Sequence, residues 1–127
     1  MDVAQALADL TEISTQIEAA VLFDVDGVVE GSTLADEATA KALADAAAAL
    51  LAKAEELRGD EAAVTQLQAS LDDGCVFVVR DGDRRIAGTT VAAPTVGLVF
   101  YDLKSALRDS APAEKPAARR PRKKADE

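Results

Sequence analysis

Histidine and tryptophan are absent from this 127-residue chain, and Cys75 is its one cysteine. Without an imidazole, every catalytic apparatus that turns on histidine is excluded, as are zinc sites of Cys/His type. A single cysteine excludes a disulfide scaffold. It sits inside the apolar run Cys75-Val76-Phe77-Val78-Val79, where it reads as a small buried hydrophobe in a reducing cytosol. Aromatics are almost as scarce, three Phe and one Tyr, whereas 28 residues are alanine. The core must therefore come from Leu, Val, Ile and closely approaching alanine-rich surfaces. A chain of this length buries roughly two-thirds of its unfolded surface, enough for one ordinary domain.

Long hydrophobic runs are missing too. The longest uncharged stretch, Ile86 to Tyr101, has 16 residues and is broken by Gly88, Pro94 and Gly97, too short for a transmembrane helix. Asp2 and Asp9 stand where a signal peptide would carry basic residues. A soluble, cytoplasmic protein without membrane insertion is expected. Its net charge of −9 is unevenly spread: residues 1–109 carry −12 and residues 110–127 carry +3. The acidic part is a poor candidate for binding nucleic acid through a folded surface.

Val3, Leu7, Leu10, Ile13 and Ile17 recur at helical spacing, and Asp2 with Gln5 can form a capping pair. Ala20 to Val25 is strand-like, Asp26-Gly27 signals a two-residue hairpin turn, and Val28-Val29-Glu30 begins the return strand. Gly31-Ser32-Thr33 ends that strand and offers a helix N-cap. From Asp36 to Arg58 there is no Gly or Pro, and ten of the residues are alanine, so a long helix is predicted, with Gly59 as its stop. Leu43, Ala47, Leu50, Ala54 and Leu57 line one face of it, and Ala44, Ala48 and Leu51 widen the apolar area sideways.

Val64 to Asp72 alternates, with Thr65, Leu67, Ala69 and Leu71 on one side, as an outer strand with one wet face would. Cys75 to Arg80 reads as a central strand. Asp81-Gly82-Asp83 is a second hairpin turn, and Arg85 to Ala93 leads back. Thr95 can cap a last helix through Arg108, with Val99, Leu103 and Leu107 on its buried face. From Ser110 onward the composition turns to Pro, Ala, Lys and Arg and cannot support a core, so disorder is expected over residues 110–127. The order is α-β-β-α-β-β-β-α: an α+β fold with one five-stranded antiparallel sheet and three helices, confined to residues 1–109.

This arrangement resembles the Roadblock/LC7 family over nearly all of residues 2–109. The residues that carry the resemblance are the hairpin Val21 to Val29, the Ala/Leu helix, the strand Gly74 to Val79 and the closing segment Val96 to Leu103, which is similar to that of bacterial, high-GC members. The resemblance implies a profilin-like architecture and a non-catalytic homodimer that binds a Ras-like small GTPase, as scaffold or regulator, activators included. It further implies that the long helix and the third strand pair across a two-fold axis, making one sheet continuous through both subunits. The residues add support of their own, since the helix is apolar beyond what one sheet contact needs and strand 64–72 looks like an edge. Leu43, Ala47, Leu50, Leu51 and Ala54, with Thr65 and Leu67, are the expected dimer interface. The bland alternative is an alanine-rich helix that exposes its extra alanines at little cost.

The run Leu22 to Val29 also looks like the first motif of haloacid-dehalogenase-type phosphatases, with Asp24 as nucleophile and Asp26 as general acid/base near Mg²⁺. That chemistry needs a Ser/Thr and a Lys to hold the phosphoryl group, and a downstream acidic pair, from separate parallel strands. Asp72-Asp73 could pass as the pair, but Lys41 and Lys53 share one uninterrupted helix and Lys104 follows the acids. A hairpin turn explains Asp24 and Asp26 without chemistry. An EF-hand starting at Asp24 would have Val29 where Gly is needed and Ala35 where Glu is needed, and no GxxxxGK or GxGxxG phosphate loop exists. No catalytic residue, metal or cofactor is expected, and a structural adaptor with no GTPase partner is the alternative to the GTPase reading. Arg80, Arg84 and Arg85 beside the second hairpin read as solvent-facing, with Arg58 and Arg108 at helix ends. The tail cluster Arg119, Arg120, Arg122, Lys123 and Lys124 can contact polyanions weakly, or serve as a solvated tail or a clamp for an acidic partner surface.

Overall fold

The computed structural model describes residues 2–57 and 64–111. The expected order of elements is found: α1 (Val3–Ile13), β1 (Ile17–Asp24), β2 (Val29–Ser32), α2 (Glu37–Glu56), β3 (Gln66–Leu71), β4 (Gly74–Asp81), β5 (Arg84–Thr90) and α3 (Val96–Asp109). The strands form one antiparallel sheet in the order β2-β1-β5-β4-β3. β1, β4 and β5 are mostly buried because they lie inside the sheet, flanked by strands on both sides.

Helix α1 starts where Asp2 Oδ1 accepts the Gln5 amide at 2.8 Å. The reciprocal half of a capping box is not made, since the Gln5 side chain donates to Asp9 instead. The periodicity that carried Ile17 into this helix misleads. Ser14 closes the helix, its N–H donating to Leu10 O at 2.9 Å, and Ile17 opens β1. A register shift between Ile17 and Ala19 then places Ile17 on the same face as Ala20 and Leu22.

Two cores flank the sheet. On one face α1 and α3 pack Leu7, Leu10, Val99, Leu103 and Leu107 against Ala20, Leu22, Phe77, Val79 and Ile86. Phe77 and Phe100 meet edge to face there, with centroids 4.9 Å apart. Gly31 lets α1 lie close to β2, because a Cβ at that position would come within 2.5 Å of Val3 Cγ1. On the other face α2 alone packs against Val21, Phe23, Val78 and Ala87.

The cap of α2 is Asp36, not the Gly31-Ser32-Thr33 segment. Its Oδ1 accepts the Ala38 amide at 3.1 Å and its Oδ2 the Thr39 hydroxyl at 2.7 Å. The Thr39 hydroxyl, followed by the Ala38 amide, holds the Asp36 carboxyl below its ordinary range. Thr33 serves the sheet instead, bonding the Ala20 backbone through its own N–H and hydroxyl. Gly59, expected as the helix stop, and Arg58 lie outside the described residues. The β4–β5 turn forms as expected at Gly82-Asp83, with Gly82 at φ +62°.

Candidate functional site: an open apolar shoulder beside the second helix

The twenty residues of α2 bury a single stripe, Ala40, Ala44, Ala47 and Leu51. The three alanines let the helix lie close on the sheet. Two of the expected interface residues are therefore committed to the protomer's own core, Ala47 at 0% exposure and Leu51 at 4%. Leu43, Leu50 and Ala54 lie next around the helix and are half-buried, with Leu57 84% exposed at its end.

A helix is about 10–12 Å wide and strands are about 4.8 Å apart, so one helix covers little more than two strands. α2 lies over β2, β1 and β5. Toward β3 the same face carries Leu67, Ala69 and Val76, all half-buried, with Leu43 and Val64 packed at its border. The opposite face has two helices. This one has a single helix and an apolar shoulder with no covering element among the described residues. Thr65, also expected at the interface, precedes β3 and is exposed. β3 pairs with β4 on one side only, so its outer edge is the sheet's margin. Leu43, Leu50, Ala54 and Leu67 thus border one surface, while Ala47 and Leu51 lie beneath it.

The first hairpin shows what Asp24 does. The loop has three residues rather than two: Asp24 N–H donates to Val28 O at 3.1 Å, Gly27 N–H to Asp24 O at 2.9 Å, and Gly27 takes φ +83°. Asp24 Oδ1 accepts the amides of Asp26 and Val28, each at 2.9 Å. The carboxylate is a turn staple. Lys41 donates to Gly27 O at 3.2 Å and to Asp45 at 2.7 Å. Asp72 and Asp73 occupy the β3–β4 turn, at the opposite end of the strands from Asp24, roughly 25 Å along β4. An antiparallel sheet with its acids so divided cannot make the phosphatase constellation. No group of three or more His, Cys, Asp or Glu side chains suited to a metal occurs among the described residues.

The three hairpin arginines are engaged, not solvent-facing. Arg80 pairs with Glu55 on α2. Arg84 donates to Glu30 Oε1 at 2.9 Å, Leu107 O at 2.9 Å and Ser110 Oγ at 3.0 Å. Arg85 is 8% exposed, and desolvation, then the neighbouring Arg80, lowers its pKa. Arg108 is exposed at the end of α3, 3.7 Å from Asp109. Sequence reasoning also passed over Asp102, buried on α3 between Val99 and Ala106. Its helical phase, three residues after Val99, was the available signal. The tail cluster Arg119 to Lys124 lies outside the described residues, and no helix among the described residues is long and apolar enough to cross a membrane.

The fold and this face define an α+β protein whose sheet is covered by two helices on one face and by a single helix on the other. The family model of the Roadblock/LC7 domain matches residues 3–90. The chain belongs to the Roadblock/LC7 family. Among solved structures, a Roadblock/LC7 domain from Streptomyces avermitilis is similar at 21% identity and TM-score 0.75, over 86% of this chain and 94% of that one. Myxococcus xanthus MglB is similar at 16% identity and TM-score 0.69, over 84% and 89% of the two chains. A structure described as MglB with a tetrameric arrangement shows 19% identity and TM-score 0.66, over 86% and 85%. At these identities the likeness speaks for the fold. No curated protein sequence matches the chain.

Proposed function

We propose that the chain is a homodimeric, non-catalytic scaffold or regulator of a Ras-like small GTPase, acting in the cytoplasm. The observation that carries the reading is the half-covered sheet face. A second copy turned about a two-fold axis lays its own α2 beside the first, over Leu43, Leu50, Ala54, Leu67 and Val76. The same rotation brings the two β3 edges together, so one operation covers the apolar shoulder and satisfies the open strand. Thr65 falls at the margin of that contact, and Ala47 with Leu51 supports it from below.

The GTPase assignment rests on family membership and is favoured by charge. A surface of −12 over residues 1–109 suits a partner with a basic contact face. The engaged arginines speak against donated chemistry. Regulation then works by holding the GTPase's switch segments in one arrangement, a population shift. The test is capture of Ras-fold proteins from native lysate in GDP and in a GTP analogue, beside a measurement of mass in solution. Nucleotide-sensitive capture by a dimer supports the proposal. A dimer whose bound proteins ignore the nucleotide is a structural adaptor instead.

A further inference from the structure

On the opposite face, a cavity of about 300 Å³ opens between α1 and α3. Its rim is apolar on one side, with Ile13 69% and Tyr101 65% exposed, and charged on the other, at Arg108 and Asp109; its buried wall holds Asp102, only 7% exposed. The Asp102 Oδ2 is sealed from solvent and has no hydrogen-bond donor among the described residues. A carboxylate so placed has lost hydration without gaining a partner. Asp9 and Asp109 line the same cavity. The cation there, Arg108, points outward against Asp109 and Ser105, its side chain 69% exposed. The apolar Ile13–Tyr101 side of the rim beside the unpartnered Asp102 fits a long aliphatic stem that ends in a positive charge, a lysine or an arginine.

The chain carries such groups within reach. α3 ends at Asp109 beside the cavity, and Ala111 is the last described residue before 112–127. From Tyr101 to Asp109 the cavity spans about 12 Å of helix. The basic run begins at Arg119, eight residues after Ala111, and eight extended residues reach up to about 26 Å. Charge complements charge: −12 over residues 1–109 against +3 over residues 110–127. We propose that the cleft between α1 and α3 is the docking site of the chain's own basic segment, Arg119–Lys124, one of whose cationic heads pairs with Asp102. The contact is intramolecular and so independent of protein concentration, and salt weakens it. A polyanion competes with the cleft for the same charges. The inference stands on the cleft and holds whether or not the GTPase reading does.

The test compares the labelled full chain with a full-length variant in which Arg119, Arg120, Arg122, Lys123 and Lys124 are glutamine. Amide resonances of Ile13, Tyr101, Asp102 and Ser105 are expected to shift, while those of β3 stay. The Asp102 carboxyl midpoint is expected to rise in the variant by about half a pH unit or more, since a nearby cation is lost. Both differences vanish in about 0.5 M NaCl, where the Debye length is roughly 4 Å. Asp102→Asn in the otherwise native chain is expected to move the segment's resonances to those of a free 112–127 peptide. Identical cleft resonances in the two chains overturn the proposal, as do shifts gathered on another acidic surface. Equal binding of polylysine in the cleft of both chains gives the site to an external basic partner and overturns the assignment to the tail.

Discussion

Arg84 at the start of β5 reaches past the end of β1 to Glu30 on β2, with its Nη2 2.9 Å from the carboxylate. The guanidinium also donates to Leu107 O and Ser110 Oγ, so one side chain ties two strands to the C-terminal turn of α3. Its side chain is 16% exposed, which makes these charge-assisted bonds worth more than a surface ion pair. Arg84→Met, which keeps the apolar stem, is expected to lower stability by about 2–3 kcal/mol in urea unfolding. Glu30→Gln should cost less, about 1 kcal/mol, because the amide oxygen still accepts. An Arg84→Met variant as stable as the wild type would show that α3 needs no such tie.

The proposed dimer face separates two substitutions that look alike in sequence. Leu50→Glu puts a carboxylate on the half-buried shoulder, where a lone protomer can solvate it. The dimer should dissociate, by light scattering at micromolar concentration, while circular dichroism stays native. Ala47→Glu forces a carboxylate into a site with 0% exposure and should unfold the protomer at a cost of several kcal/mol. A monomeric wild type would refute the pairing outright.

Asp24 tests the turn against chemistry. Asn keeps an oxygen for the amides of Asp26 and Val28, so Asp24→Asn should be nearly neutral in thermal melting. Asp24→Ala leaves both amides without their acceptor and should cost about 1–2 kcal/mol. Equal loss in both variants would mean that the negative charge, rather than the acceptor, matters there.

Burial raises the Asp102 pKa above its ordinary 3.8, with Asp9 across the cleft on α1 and Arg108 and Asp109 beside it on α3. The folded chain then holds a proton that the unfolded chain has already released. Stability falls as pH rises from the unfolded value through the folded one, and the loss persists above it. In about 0.5 M NaCl, which screens the basic segment, Asp102→Asn is expected to be more stable than wild type at pH 7. The gap should close as pH falls below about 4. A gap that is constant with pH would trace the effect to packing.

The order of elements was legible because each strand and helix carries its own period, and Asp2, Gly27 and Gly82 punctuate them; the cap Asp36 was masked by the rival segment Gly31-Ser32-Thr33, and Thr95 precedes α3 without a capping side-chain bond. The misses have separate causes. Alanine at ten positions of the long helix leaves its phase undetermined, so Ala47 and Leu51 read as interface residues although they face the protomer's own sheet. The sheet takes the stripe Ala40, Ala44, Ala47 and Leu51, because its three alanines permit close approach, and Leu43 and Leu50 are left at the shoulder. Ile17 kept helical spacing with Ile13, yet Ser14 ends the helix and leaves Ile13 69% exposed. The hairpin arginines looked free because their partners, Glu55, Glu30 and Leu107 O, come from elements distant in sequence. Only the assembled fold brings those groups together.

On the proposed GTPase reading, the mode of regulation is decided by GTP turnover of the cognate GTPase. An activator that donates an arginine in trans raises hydrolysis by roughly a thousandfold or more, and loses that on substitution. Here Arg80 is paired with Glu55, Arg84 holds three acceptors, and Arg85 is buried, so extending any of them breaks contacts within the protomer. Arg108 is free to move, but it stands at the end of α3, on the face away from the open shoulder. Each arginine, Arg58 included, is changed to methionine, with binding and circular dichroism checked in parallel. Every variant that still folds and binds is expected to keep its effect on turnover within about threefold, under 1 kcal/mol of barrier. The switch segments would then be ordered by the surface as a whole, and charge reversal of several acidic residues at the contact should weaken binding and activation together. If one arginine variant binds normally and abolishes activation, an arginine finger operates and the population-shift mechanism is wrong.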